Sequence, residues 1–287
     1  MRNNMNINEA LIKAYDILKS SDIESYIIDA QLLLCRVLNV EKLYIIMNRS
    51  EILTLDKEQE FFKLINLRSC KKPMAYILGQ VEFMGINFFV EEGVLIPRPD
   101  TEILVEECIS IIKKNNISLI CDMCCGSGAI GISIGHYVEN SKVWLYDISD
   151  IALNVTKKNI SNLNLGEKTN VNKSDLFQLP IKEGLKFNMI VSNPPYIKEE
   201  VIPTLMGDVK DYEPHLALSG GQDGLDFYRR ICKEGKEVLS SDGYLCFEIG
   251  HDQEVEVKSI MKTEGFSDIY SLRDLGGNHR VVIGKLP

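Results

Sequence analysis

Apolar side chains in the first 70 residues recur at helical spacing, with no stretch of strand-like alternation. Asn8 is placed to cap a helix carrying Leu11, Tyr15 and Leu18 on one side. Asp22 is placed to cap a second, with Ile27, Leu34 and Leu38 inward, and Asp56 opens a third through Phe61, Leu64, Ile65 and Arg68. Three short amphipathic helices with short links predict a small bundle, and Pro73 marks the exit from it. Residues 81–84 and 87–90 then read as a hairpin about a Gly85-Ile86 turn. From about residue 101 the pattern changes. A helix over about 101–114 leads into apolar runs of strand length, at about 118–122, 142–147, 170–174, 187–192, 243–249, 267–272 and 280–284, which alternate with amphipathic stretches. Alternating strands and helices predict an α/β domain with a mostly parallel sheet covered on both faces. The expected organisation is a helical domain over 1–72, a linker with the hairpin over 73–100, and the α/β domain over 101–287.

The chemistry gathers at predicted strand ends. Asp122 closes the first strand of the sheet, and Met123, Cys124, Cys125, Gly126, Ser127 and Gly128 follow, with Gly131 completing G-x-G-x-x-G. Such a loop serves either of two cofactors. In a dinucleotide enzyme the helix N-terminus faces a pyrophosphate. In a methyltransferase the ligand carries no phosphate, and an acid at the strand end, here Asp122, can meet its ammonium group. Asp147 ends the second strand, 19 residues beyond Gly128, where a carboxylate can accept both ribose hydroxyls of an adenosine. The alternative is that it caps the next helix, which starts at Ser149 and Asp150, but the strand-end position favours ligand binding. Asp175, after the third strand, is either an acceptor for an adenine amino group or an ordinary polar loop residue.

Asn193, Pro194, Pro195 and Tyr196 directly follow the fourth strand. The two prolines remove two backbone donors and stiffen the loop, which frees the Pro194 carbonyl from any ladder. That carbonyl and the Asn193 side chain make two acceptors beside the flat face of Tyr196. The set suits a planar NH₂ group as methyl acceptor. An amide nitrogen is a poor nucleophile because its lone pair is delocalised, so catalysis there would be orientation and electrostatics rather than a strong base.

Composition narrows the substrate. The net charge is −9, and residues 1–72 hold 11 Lys/Arg against 10 Asp/Glu, so the other 215 residues carry a net −10. Duplex binding calls for a basic footprint, which weighs against DNA. No run approaches the roughly 20 apolar residues of a membrane span. Residues 1–8 are polar and lack the apolar core of a signal peptide. The cytoplasm is therefore the expected compartment, with no membrane partner. Eight cysteines lie mostly in apolar runs; Cys121 and Cys124 form a C-x-x-C with no second pair, so reduced thiols and no metal are expected. Glu248 at a late strand end is a candidate for substrate contact or for structural pairing, and Arg98 for positioning an acidic group or pairing with a nearby one.

Asn193-Pro194-Pro195-Tyr196 occurs in amino-methyltransferases that act on adenine, cytosine or glutamine. Together with Ile96-Pro97-Arg98-Pro99-Asp100-Thr101-Glu102 and Arg273-Asp274-Leu275-Gly276-Gly277-Asn278-His279-Arg280, it resembles the PrmC/HemK family. Gly207-Asp208-Val209, Tyr212-Glu213-Pro214 and Ala217-Leu218-Ser219-Gly220-Gly221 extend the likeness, which is sharp over 73–287 and one of kind in the helical front. The resemblance implies a Rossmann-like, seven-strand class I methyltransferase sheet with a small N-terminal helical substrate-recognition domain. It implies transfer of a methyl group from S-adenosylmethionine, leaving S-adenosylhomocysteine, to the glutamine N5 of the Gly-Gly-Gln loop in class-I peptide chain release factors. Residues 124–128, Asp147, Asp175, Leu176 and Asn193 would line the cofactor site, and residues 193–196 would hold the glutamine. The family pattern Asp-Leu-Gly-Thr-Gly-Thr-Gly is Asp122-Met123-Cys124-Cys125-Gly126-Ser127-Gly128 here, so Cys stands where a glycine is usual. A positive φ at Cys124 would cost on the order of 1 kcal/mol. Two other readings stay open: a methyltransferase for a ribosomal-protein glutamine, and an adenine methyltransferase that flips its base into the same pocket.

Overall fold

The computed structural model describes residues 4–287, so the first three positions of the polar stretch 1–8 lie outside it. Two compact units emerge, one running up to Gly79 together with Met206–Tyr212, the other holding Gln80–Leu205 and Glu213–Pro287.

The first unit contains helices α1 (Ile7–Ser20), α2 (Tyr26–Leu38), α3 (Lys42–Met47), α4 (Leu55–Ser69) and α5 (Met74–Leu78). Asn6, not Asn8, caps α1: its side chain accepts from the Glu9 N–H while the Glu9 carboxylate accepts from the Asn6 N–H. Helix α2 starts after Ser25 rather than Asp22, and of the two overlapping apolar stripes in Tyr26–Leu38 the one with Ala30, Leu33, Leu34 and Val37 is buried, which leaves Ile27 44% exposed. Helices α3 and α5 were not expected, because six and five residues are too few to display a helical period. Phe61 and Ile65 of α4 are fully buried, as the pattern predicts. Arg68 Nε donates to Asp29 Oδ2 at 2.7 Å and Ser25 Oγ donates to the same oxygen at 2.8 Å, a nearly buried ion pair that ties α2 to α4.

The second unit begins with a hairpin of β1 (Gln80–Phe83) and β2 (Ile86–Phe89). Its turn is Met84-Gly85, one residue earlier than expected, because these two residues take φ of 53° and 69°, the pair of positive angles of a tight hairpin turn. There follow α6 (Glu102–Asn115), β3 (Leu119–Met123), α7 (Ala129–Tyr137), β4 (Lys142–Asp147), α8 (Asp150–Asn162), β5 (Thr169–Lys173), α9 (Gln178–Glu183) and β6 (Phe187–Ser192). After α10 (Gly207–Lys210), which belongs to the first unit, come α11 (His215–Leu218), α12 (Asp226–Gly235), β7 (Leu239–Glu248), α13 (Glu254–Thr263), β8 (Ser267–Arg273) and β9 (His279–Lys285). The seven-stranded sheet has the order β5-β4-β3-β6-β7-β9-β8, parallel from β5 to β7 and antiparallel at β7–β9–β8.

Neighbouring residues on these strands enter opposite cores. Ile120, Met189, Val191, Cys246 and Ile283 join one apolar cluster with α6 and α7; Cys121, Ile190, Leu245, Phe247 and Val282 join another with α12 and α13. Burial on both faces is why the central strands read as apolar runs, while the edge strands β5 and β8 have no buried residue. The strand order reverses between β3 and β6, so a crevice opens at their C-terminal ends, where an open α/β sheet takes its ligand.

Candidate active site

The loops that leave β3 and β6 wall a cavity of about 320 Å³ in the second unit. Cys124, Cys125, Gly126, Ser127, Asp147, Asp175, Leu176, Asn193 and Pro195 lie on that wall. Asp122, Gly128, Pro194 and Tyr196 do not.

The glycine loop is held from outside. Thr156 Oγ1 and Asn159 Nδ2 of α8 donate at 2.9 Å to the carbonyls of Gly126 and Ser127, and the Cys125 N–H donates to the Tyr146 carbonyl at 3.0 Å. Cys124 takes φ of 61°, so the strain expected of a non-glycine residue there is present, at roughly 1–2 kcal/mol. Burial pushes the thiols of Cys121, Cys124 and Cys125 up, so they stay protonated at neutral pH. At Gly131 any Cβ would stand 2.9 Å from Asp122 Oδ2 and 3.0 Å from Leu145, so only glycine lets α7 pack this close to the sheet.

Asp122 is fully buried beneath the loop, and its Oδ2 accepts the Gly131 N–H at 2.8 Å. Burial raises this carboxyl to about 7, with the Gly131 donor opposing the shift and the charge of Asp147 adding to it. The side chain expected to meet a ligand ammonium thus points along the α7 start instead of into the cavity. Asp147 does reach the cavity: its Oδ2 accepts from the Gly126 N–H and its Oδ1 from the Ser149 N–H, both at 2.9 Å. Ser149, whose Oγ accepts from the Ala152 N–H, is the cap of α8. Burial holds the Asp147 carboxyl above the ordinary carboxylate range, against the pull of those two backbone donors.

Asp175 is engaged by Arg230 Nη2 at 3.0 Å and Gln178 Nε2 at 3.1 Å. Arg230 and Phe227, three residues apart on α12, also face the cavity. Sequence reasoning missed both, and their shared helix face was the one local sign of them. Val94, Leu95 and Pro97 complete an apolar side. Arg98, on the rim, pairs with the buried Glu213, so the two motif segments 96–102 and 212–214 meet through one ion pair. Asn193 stands at the switch point with its side-chain amide making no hydrogen bond among the described residues. An apolar cleft of this size with a few convergent polar groups suits an adenosine-bearing ligand: a strand-end carboxylate for ribose, Leu176 and Phe227 for a ring, and Asn193 at the reacting end.

Comparison with known proteins matches residues 9–79 to the PrmC N-terminal domain and residues 100–208 to the methyltransferase small domain. The chain is 50% identical to a release factor glutamine methyltransferase of Clostridium botulinum, over 97% of this chain and 98% of that one. It is 48% identical to the protein of the same name in Clostridium acetobutylicum, again over 97% and 98%. The solved hMettl16 catalytic domain, 15% identical, shares the fold with a TM-score of 0.56 over 81% of this chain and 82% of that one.

Proposed function

The chain belongs to the release factor glutamine methyltransferase family, and on that premise we propose that it methylates the side-chain nitrogen of the glutamine in the Gly-Gly-Gln loop of class-I peptide chain release factors. S-adenosylmethionine supplies the methyl group and leaves as S-adenosylhomocysteine. Asp147 binds the ribose hydroxyls, while Leu176 and Phe227 flank the adenine and Asp175 accepts from its amino group. The Asn193 side-chain oxygen and the Pro194 carbonyl accept the two N–H bonds of the glutamine amide and turn its lone pair toward the methyl group. Tyr196 fixes the amide plane. The nitrogen becomes cationic as the bond forms, and its proton then leaves without a strong base.

The observation that carries this reading is the unengaged Asn193 amide at the strand-order switch, on the wall of the same cavity as Asp147. Recognition of one glutamine among many calls for contacts beyond the pocket. The helical unit offers them: α2 and α3 leave Ile28 55%, Leu43 64% and Met47 73% exposed. The net charge of −9 further supports a protein substrate over bare nucleic acid. The test is incubation with methyl-labelled S-adenosylmethionine, a purified release factor, ribosomes and nucleic acid, followed by mapping of the label. Label on the Gly-Gly-Gln glutamine is expected; label on a ribosomal protein or on adenine with the release factor unmodified would overturn the reading.

A further inference from the structure

Glu248, the last residue of β7, is 2% exposed and takes no part in the chemistry above. Its Oε1 accepts from the Tyr196 hydroxyl at 3.3 Å. The rest of Tyr196 is already fixed. Gln253 Nε2 donates to its carbonyl at 2.9 Å, and the following Ile197 exchanges backbone bonds with Leu218 and Gly220 at 2.9 and 2.8 Å. Gly220 and Gly224 press on the same backbone so closely that a Cβ would come to 2.7 Å of the Tyr196 Cα and 2.4 Å of its oxygen. With the main chain clamped, the freedom left to this residue is the swing of its side chain about the Cα–Cβ bond. The hydroxyl contact opposes it by fixing where the phenol oxygen sits.

The carboxylate is also where three motif segments converge. Arg280 of β9 pairs with Asp100 and Asp274 at 3.1 Å each, and its charge reaches Glu248. Tyr228 of α12 donates its hydroxyl to the Glu248 carbonyl at 3.0 Å. Glu248 Oε2 and Thr101 Oγ1 are both buried, and Thr101 acts on the carboxylate as a hydrogen-bonding neighbour.

We propose that Glu248 is a positioning residue, which holds the Tyr196 ring in the place where the glutamine amide stacks on it by accepting the Tyr196 hydroxyl. The inference rests on the function proposed above. An ionised Glu248 is the stronger acceptor. Burial raises its carboxyl to about 7, while the Thr101 hydroxyl, Arg280 and the Tyr196 hydroxyl oppose the rise and Asp100 adds to it. Protonation therefore loosens the ring, and the transfer rate should fall as pH drops through about 7.

The experiment is single-turnover methylation of a purified release factor at saturating S-adenosylmethionine, between pH 6 and 9, by the full-length wild type, Glu248→Gln, Tyr196→Phe and the double variant. Glu248→Gln should slow the transfer on the order of tenfold or more, the effect of losing one hydrogen bond to a charged group. It should also lose the acid limb near pH 7 while cofactor affinity by calorimetry stays unchanged. Tyr196→Phe should slow the step similarly, and the double variant should be no slower than either, since both remove one contact. A Glu248→Gln rate equal to wild type, additive losses in the double variant, an acid limb that persists, or cofactor binding lost in parallel with rate would each overturn the role. A wild type that leaves the release factor unlabelled would instead refute the function itself; an active wild type with an indifferent Glu248→Gln refutes the positioning role alone.

Discussion

Replacing Asp147 by alanine tests whether the strand-end acid is a ligand group or a piece of loop scaffolding. Its two oxygens each accept one backbone N–H, from Gly126 and Ser149, at 2.9 Å, and each carboxylate oxygen has a further lone pair to offer the cavity. A hydrogen bond to an ionised acceptor contributes about 1.5–3 kcal/mol. At about 1.4 kcal/mol per decade, loss of the ribose contact should weaken S-adenosylmethionine binding on the order of 10- to 100-fold. Freeing the Gly126 N–H loosens the loop as well and makes that a lower bound. Asp147→Asn should fare little better, because an amide must turn its NH₂ toward one of two backbone donors. Calorimetric titration with S-adenosylhomocysteine reads the affinity, and circular dichroism reports whether the variant is folded. Since burial raises the Asp147 carboxyl, wild-type binding should weaken on acidification from above the ordinary carboxylate range, a limb that both variants lack. Unchanged affinity in a folded Asp147→Ala protein would remove Asp147 from the site.

Two further outcomes follow from the fold. Asp122 is raised by burial to about 7 from an ordinary value of 3.8, so it favours the folded state most at low pH and this contribution is lost as pH rises through about 7. Asp122→Asn keeps an acceptor for the Gly131 N–H and should raise the Tm at pH 8 while changing it little at pH 4; an equal effect at both would refute the buried-acid account. Ile28→Glu with Met47→Glu, on the exposed faces of α2 and α3, should depress kcat/KM for an intact release factor by tenfold or more yet leave a Gly-Gly-Gln peptide unaffected. Equal effects on both substrates would make that surface irrelevant to recognition.

The middle of the sheet was legible because β3, β4, β6, β7 and β9 are rich in buried apolar residues, whereas the edge strands β5 and β8 have no buried residue. Only β7 extends well past expectation, starting at Leu239, where the polar Ser240, Ser241 and Asp242 hide its first half. The helical front was legible in kind but not in phase. Several Asn, Ser and Asp residues compete as caps there, and apolar residues on more than one side of α2 allow two stripes, of which the buried one leaves Ile27 outward. At the site, motif spacing placed the glycine loop, Asp147 and Asn193 on one crevice. It could not say which way Asp122 points, since strand-end position does not reveal that the Gly131 N–H claims the carboxylate. The Arg230–Asp175 and Tyr196–Glu248 contacts are tertiary juxtapositions across 55 and 52 residues, and beyond the shared helix face of Phe227 and Arg230 they leave no local pattern.

The central claim, that Asn193 orients a glutamine amide for methyl transfer, is tested most directly by the single-turnover rate of Asn193→Ala on a purified release factor, with cofactor affinity measured on the same preparation. The rate should be lower by about two orders of magnitude, as for loss of one preorganised hydrogen-bonding group, with cofactor affinity largely kept. A near-normal rate would mean that residues 193–196 form only a rigid turn, and would contradict the claim.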